Sequence, residues 1–572
     1  MDRLWDIREV ESIEAESLAR ELGIPDFLGR LLLLRGVKNA KEAKRFLAPD
    51  LADLHDPFTM KDMQKAVERI LKSLLKKEKV CVWGDYDVDG ITSTSVLLLF
   101  LRQVGLDVVY HIPSRLEEGY GLNEVEIDRI YSEGSSLLIT VDCGVSDFKA
   151  IEHARSIGLD VLVLDHHQVP DELPPAIAVL NPHRKDCSFE TEDLAAVGVV
   201  FNLVMALRAK LRTKGFFGDA DEPNLRELMD LVALGTVADI VPLLGENRTI
   251  TYFGLKELSA ARRPGVAALK EVSGLRWGDV SAGQVAFRLA PRINAAGRLG
   301  SASNGVDLLT TKSYSKALRL ARLLDEANVE RQGIEQQIYE QAMRQAADML
   351  QGQQPQSLVL SSDNWHVGVV GIVASRLVEQ FGCPVVLVSL DGQEGRGSAR
   401  GVTGTHLYEA MASCSQYLVT FGGHRMAAGL TIMRENLDDF RRSFANAILK
   451  QKEQGATGKV YSVDAQVQPS SWTPSMVRAL LSMAPFGLGN PEPVFLAKNL
   501  LIRSARTVGK EPPYHLKAVA SEGGSSWDVI GFRMGQRLSE VEKYSDILYT
   551  PEFNTWDGQT SIQLRLLDFR PT

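Results

Sequence analysis

Hydrophobic and polar positions change rhythm several times along the chain. Residues 1–55 carry apolar side chains at helical spacing, centred on Leu31-Leu32-Leu33-Leu34, with Pro25 placed to open a helix. From residue 80 the pattern becomes short apolar runs, often β-branched, that do not alternate with polar residues: 80–83, 108–112, 137–141, 161–164 and 177–180. Such runs predict strands buried on both faces. Helical stretches at 124–132 and 151–157 fall between them, so the repeated units predict a parallel sheet with helices on both sides. A long helical pattern then covers 316–350, with Leu320, Leu324, Ile334, Ile338, Ala342, Ala346 and Leu350 on one stripe and a solvated remainder. It reads as a connector, although Gly333 costs it roughly 1 kcal/mol relative to Ala. A second α/β unit begins at Ser357, with strands at 358–360 and 385–388 flanking a helix at 369–380. Beyond the Gly/Gln/Lys stretch 450–458 the pattern turns to short strands, at 460–467, 500–508, 515–519, 527–532, 546–549 and 562–566. A small β-barrel of the oligonucleotide-binding kind fits this pattern, and so does a β-sandwich.

The first apolar run ends at Gly84, and Asp85, Asp87 and Asp89 follow at every second position before Gly90. In extended chain alternate residues share a face, so three carboxylates here crowd their negative charge unless a cation sits among them. Taken alone, the stretch also fits an acidic solvated loop. Other segments repeat it, however. The run 137–141 is followed at once by Asp142-Cys143-Gly144, the run 161–164 by Asp165-His166-His167, and the apolar segment 231–237 by Ala238-Asp239. In a parallel sheet ligands bind at the carboxyl ends of the strands. The expectation is therefore that one sheet edge collects Asp85, Asp87, Asp89, Asp142, Asp165, His166, His167 and Asp239. Mixed carboxylate and imidazole ligands suit a divalent ion such as Mn²⁺ better than a pure Mg²⁺ site. The number of ligands is enough for two ions sharing a carboxylate, the arrangement used for in-line attack on phosphorus.

Composition narrows the field. With 572 residues, 45% of them hydrophobic, the chain has room for three or four domains. A formal net charge of −9 argues against coating nucleic acid through bulk positive charge and leaves a local basic groove open. Five scattered cysteines show no zinc-ligand spacing and read as reduced core residues. The N-terminus lacks the apolar core of a signal peptide and no run reaches membrane-spanning length, so a soluble cytoplasmic protein without membrane contact is expected. Four further segments suit phosphate or bases. Residues 112–121 form a Gly-bounded loop with Arg115 and Tyr120, and 291–298 reads as a small-residue loop carrying Arg292, Asn294 and Arg298. Residues 395–401 read as a Gly-rich loop with Ser398 and Arg400, and 421–429 as another with His424. Each alone is a weak signal.

Together these motifs resemble the DHH phosphoesterase superfamily, named after the triplet seen here as Asp165-His166-His167, and within it the RecJ-type single-strand-specific exonucleases. The resemblance rests on Gly84-Asp85-Tyr86-Asp87-Val88-Asp89-Gly90, Asp142-Cys143-Gly144, Val237-Ala238-Asp239-Ile240-Val241-Pro242 and Gly422-Gly423-His424. It extends to Pro485-Phe486-Gly487-Leu488-Gly489-Asn490-Pro491 and Gln563-Leu564. It implies an α/β protein with a parallel-sheet DHH domain, a long helix leading to a smaller α/β DHHA1 domain, and a C-terminal OB-type barrel. The corresponding bounds are 1–55 for an N-terminal helical segment, 56–315, 316–352, 353–452 and 458–572. It implies a 5′→3′ exonuclease on single-stranded DNA that releases 5′-mononucleotides with two Mn²⁺ or Mg²⁺ ions and acts in repair and recombination. By the same resemblance Asp85, Asp87, Asp89, Asp142, His166 and Asp239 form the metal shell, with Asp142 bridging and also catalytic. His167 faces the scissile phosphate, and Asp165 supports the histidines. Arg115, Ser398 and Arg400 are implied to grip the 5′-phosphate, with Tyr120, Arg292, Asn294, Arg298, Gln332 and His424 along the strand. Trp83 departs from relatives with a small or imidazole side chain before the Gly-Asp, a change expected to affect packing. A single-strand-binding protein and a RecQ-type helicase are implied partners of a monomer. Two alternatives stand beside this reading: a DHH phosphodiesterase for short oligonucleotides or cyclic dinucleotides, and a non-catalytic DHH scaffold.

Overall fold

Two groups of mutually packed segments make up the chain, a computed structural model of which describes residues 4–114, 118, 119, 121–218, 222–275, 277–299, 301–350, 353, 355–452, 460–509, 514–556 and 558–572. One unit comprises Trp5–Ile112, Tyr120–Ala290 and Tyr461–Thr572; the other comprises Met1–Leu4, Pro113–Gly119 and Pro291–Val460.

The first unit is built on five parallel strands, β1 (Lys79–Gly84), β2 (Asp107–His111), β3 (Ser135–Val141), β4 (Asp160–Leu164) and β5 (Ala178–Leu180). Their order in the sheet is β2-β1-β3-β4-β5. Continuous Val, Ile and Leu runs place them here, because both faces of the sheet are covered by helices. Helix α1 (Val88–Gln103) leaves β1 and is buried over most of its length. It packs against α2 (Ala196–Thr213) and α3 (Met229–Ala238), and α4 (Gly245–Ala260) lies on α3. On the other face Trp83 is fully buried, its ring 4.4 Å from that of His111. The same unit contains the C-terminal strands, which close into a barrel through a second pairing of Phe495–Val508 with Tyr544–Trp556. Closure decides between the two β architectures that the strand pattern left open. The helices Ser12–Leu22, Asp26–Leu34 and Ala40–Leu47 share the barrel's core: Leu28, Leu31 and Leu32 pack with Trp472, Phe495 and Tyr549. Buried Asp464 accepts hydrogen bonds from Arg35 Nη1 (2.9 Å) and from Arg8, tying the N-terminal segment to the start of the barrel segment.

In the second unit, α5 (Tyr314–Leu350) runs unbroken through exposed Gly333. A five-stranded mixed sheet follows, made of β6 (Leu358–Ser362), β7 (Val385–Asp391), β8 (Glu394–Arg400), β9 (Leu418–Gly423) and β10 (Ala427–Met433) in the order β9-β10-β8-β7-β6. Helix α6 (Val370–Phe381) connects β6 to β7.

Four sequence expectations change. Residues 231–237 form a helix, so Asp239 follows a helix end and not a strand. The 291–298 segment is the helix Ala290–Leu299, which directly continues the π-helical turn Val285–Leu289; a bulge of this kind accommodates Pro291, which has no amide to donate. The glycine-rich 395–401 stretch is β8, and 421–429 is the hairpin of β9 and β10. Glycine is needed in β8 because neighbours fill its side-chain positions: a Cβ on Gly397 would lie 3.0 Å from Val388 Cγ2. A strand with so few side chains gives no period-two signal.

A candidate metal centre and an anion cradle

The aspartates of the first motif are delivered by the β1–α1 turn. Asp87 caps α1, its Oδ1 accepting from the main-chain amides of Asp89 (2.9 Å) and Gly90 (3.3 Å). Asp89 is almost fully buried and accepts from the amides of Ala196 (2.6 Å) and Val197 (2.9 Å) at the start of α2. Two helix N-termini therefore face this acid cluster, where their dipoles favour negative charge. Asp142, one residue past β3, adopts a left-handed backbone with φ of 63°, a conformation that Asp tolerates better than most side chains. Asp239 caps the C-terminal end of α3. Gly235 allows α3 to lie directly on α1, since a Cβ there would come within 2.2 Å of Thr92 Oγ1.

The imidazole of His166 joins these acids. Its Nε2 lies 3.3 Å from Asp142 Oδ1 and 3.9 Å from Asp89 Oδ2, and its Nδ1 lies 3.6 Å from Asp239 Oδ2. Three overlapping groups with ligand-like spacing result, Asp85/Asp87/Asp142, Asp89/His166/Asp239 and Asp142/His166/His167. Asp142 belongs to the first and approaches His166 of the second.

Electrostatics sharpen the assignment. Burial, then repulsion by Asp89, Asp87, Asp85 and Asp239, pushes the Asp142 carboxyl well above the ordinary aspartate range. Burial and Asp87 raise Asp89 to about 7; burial, Asp89 and Asp87 raise Asp239 to about 9. Among the described residues, Asp89, Asp142 and Asp239 meet no lysine or arginine at ion-pair distance. Burial and the neighbouring His167 pull His166 down to about 4, which leaves it neutral with a lone pair available at neutral pH. Its Nε2 is buried and has no hydrogen-bond partner among the described residues. Crowded carboxylates beside a neutral, unsatisfied imidazole fit divalent cations with mixed oxygen and nitrogen ligands.

His167 is the opposite case. Burial lowers it, but the hydrogen bond to Asp165 (2.7 Å) and that carboxylate's charge outweigh burial and raise it to about 9. A charged imidazole is a poor metal ligand and a good partner for a phosphate oxygen. Asp165 points away from the metal groups. Its Oδ1 accepts from the amides of His166 (2.7 Å) and His167 (3.0 Å), and its Oδ2 from the amide of Val145 (3.0 Å).

The second unit holds a separate cradle. Arg400 Nη1 donates to Ser398 Oγ (2.8 Å), and both side chains converge over Gly371 in the first turn of α6. A Cβ on Gly371 would stand 2.9 Å from both Arg400 Nη2 and Ser398 Oγ. Guanidinium, hydroxyl and a helix N-terminus around a bare backbone suit a phosphate. The sequence reading missed Gly371, whose only signal was its place at the start of the expected helix. Arg292 is paired with Asp325 (2.8 Å), and Arg298 donates to the carbonyl of Gly368 (2.7 Å). Asn294 lies partly buried on the same helix as these arginines; Gln332 is exposed on α5, and His424 is exposed in the β9–β10 turn. Arg115 and Tyr120 lie outside the described residues.

Comparison with known families places this geometry. Residues 79–236 match the DHH family N-terminal domain, 354–451 the DHHA1 domain and 463–568 the RecJ OB domain. Fold and site thus define a DHH-type phosphoesterase carrying a DHHA1 domain and an OB barrel. The chain is 36% identical to the single-stranded-DNA-specific exonuclease RecJ of Escherichia coli over 99% of both chains. It is 35% identical to RecJ of Bacillus subtilis over 99% of this chain and 70% of the relative. The crystal structure of Thermus thermophilus RecJ in complex with Mn²⁺ superposes with a TM-score of 0.84 at 28% identity, covering all of this chain and 80% of that one. A manganese-bound exonuclease RecJ structure, 33% identical, covers 71% of this chain and 99% of its own, with a TM-score of 0.60. The chain belongs to the RecJ family.

Proposed function

We propose that this protein is a metal-dependent 5′→3′ exonuclease that degrades single-stranded DNA to 5′-mononucleotides, serving DNA repair and recombination. The observation that carries the reading is the meeting of Asp85/Asp87/Asp142 with Asp89/His166/Asp239, through Asp142 and His166. These residues would hold two divalent cations, Mn²⁺ or Mg²⁺. When bound, the cations lower the pKa of a water and neutralise charge on the attacked phosphate.

The chain's own groups do the rest. Asp165 keeps His167 charged and oriented, so its imidazolium binds a non-bridging oxygen and stabilises charge that develops there. Ser398, Arg400 and the first turn of α6 hold the terminal 5′-phosphate, which fixes polarity. The closed barrel provides a surface for the strand beyond. Arg292, Asn294, Arg298, Gln332 and His424 are assigned to backbone contacts on the family likeness. So are a monomeric state, a cytoplasmic location, and substrate delivery by a single-strand-binding protein and a RecQ-type helicase. No helix is long and apolar enough to cross a membrane among the described residues.

The test is a single strand labelled at either end, with and without a 5′-phosphate, incubated with Mn²⁺. Mononucleotides should leave the 5′ end, with none from blunt duplex and none with Asp142→Ala. Cleavage restricted to dinucleotides would replace this reading with a short-oligonucleotide phosphodiesterase. Binding without cleavage would replace it with a scaffold.

A further inference from the structure

The Asp165-His166-His167 segment has no regular secondary structure, yet it must hold two imidazoles in fixed and different orientations. Its amides are fixed from one side by Asp165, as described. Its carbonyls are fixed from the other side by two residues that play no part in the site so far. Asn181 Nδ2 donates to the carbonyl of His167 at 2.9 Å, and His183 Nδ1 contacts the carbonyl of His166 at 2.6 Å. A carbonyl accepts only, so His183 must carry its proton on Nδ1. Asn181 is fully buried, and its Oδ1 accepts from the amide of His183 at 2.8 Å, which locks the two side chains into one unit. The sheet sets this geometry. β4 and β5 pair in parallel with Leu164 opposite Leu180, and the amide of Asp165 donates to the carbonyl of Leu180 at 3.0 Å. The residues after each strand are thereby placed side by side. His183 Nε2 faces Asp193 Oδ1 at 3.6 Å, away from the carbonyl it serves.

We infer that Asn181 and His183 are positioning residues of the metal centre: by holding the carbonyls of His167 and His166 they set the angle at which the His166 imidazole meets its cation and His167 meets the phosphate. The inference rests on the reading of His166 as a metal ligand. A hydrogen bond to the main chain of a ligand matters because a ligand's orientation is set as much by its outer partners as by the metal, and loss of such partners typically costs 10–100-fold in metal affinity or activity.

The experiment measures Mn²⁺ binding to the full chain by electron paramagnetic resonance of the free ion, alongside exonuclease turnover. His183→Leu and Asn181→Asp, which keep approximate shape but remove the donors, should weaken Mn²⁺ binding about 10–100-fold. His183→Asn should restore most of it, because its amide nitrogen reaches the position of Nδ1; His183→Gln should not. Single-strand binding in EDTA should stay at the wild-type level throughout. His166→Ala separates the two readings: if it leaves Mn²⁺ binding unchanged, the metal assignment itself fails. If His166→Ala loses Mn²⁺ while His183→Leu and Asn181→Asp bind it like wild type, the positioning role is overturned. It is equally overturned if His183→Asn is no better than His183→Leu and every loss follows a fall in thermal stability measured in EDTA.

Discussion

Asp165 turns its acceptors inward, to the amides of Val145, His166 and His167 and to His167 Nδ1, and so spends its charge on a histidine. Asp165→Asn keeps the shape and removes that charge. His167 should then titrate well below its present value of about 9, and turnover should fall by about 10–100-fold, with the alkaline limb of the pH–rate profile moving to lower pH. In metal-free protein the stabilisation from this pair is complete below the ordinary histidine range and is lost as pH rises through about 9, and Asp165→Asn should flatten that slope in thermal unfolding. An unchanged profile would show that His167 is not held by Asp165. In the phosphate cradle, Gly371→Ala should displace Ser398 and Arg400 and erase the preference for 5′-phosphorylated over 5′-hydroxyl strands, seen as a convergence of their kcat/KM values. The histidines and all the acids but Asp239 were legible in the sequence because charged residues directly after apolar strands do not fit an apolar core; Asp239 was read by the same rule although it follows a helix. Gly371 and Asn181 were not, because their roles depend on which side chains arrive from elsewhere in the fold.

Strands and helices form the frame that aims these groups, and there the sequence was legible where side chains carry a period. The five parallel strands were read from unbroken apolar runs, and the long helix Tyr314–Leu350 from its apolar spacing. Three of the four failures share one cause: small residues hide the period. The Gly-rich β8 and the Ala- and Gly-containing helix Ala290–Leu299 both looked like loops. The all-apolar α3 offered no polar face to mark it as a helix against a sheet. That helix also carries a prediction. Gly235→Ala would put a methyl 2.2 Å from Thr92 Oγ1 and 2.9 Å from Val197 Cγ1, lifting α3 from α1. Overpacking of this kind typically costs about 1–3 kcal/mol. Asp239, four residues after Gly235, should move with it, and the methyl would also stand 3.1 Å from Asp89 Oδ1, so Mn²⁺ binding should weaken more than single-strand binding in EDTA. Equal losses in both would mean that the seating of α3 on α1 does not position Asp89 and Asp239.

Across the whole molecule, a net charge of −9 is compatible with DNA as substrate because basic groups are needed only where the strand lies. The N-terminal helices, in which the sequence showed no chemistry, contribute to the barrel core instead. Tyr549 at its centre accepts from Trp472 Nε1 and donates to the carbonyl of Val467, each at 2.8 Å. Tyr549→Phe leaves the buried Trp472 Nε1 without its partner and takes a donor from the half-buried Val467 carbonyl, and should cost about 1–3 kcal/mol in denaturant unfolding, with kcat on short strands retained. Activity, however, turns on one buried carboxylate, Asp142, which joins the two groups of candidate metal ligands. Isothermal titration of metal-free protein with Mn²⁺ tests it most directly, with wild type beside Asp142→Ala. Two ions should bind per wild-type chain, and both high-affinity sites should be lost in the variant. A single ion in wild type, or two undiminished sites in Asp142→Ala, would contradict it.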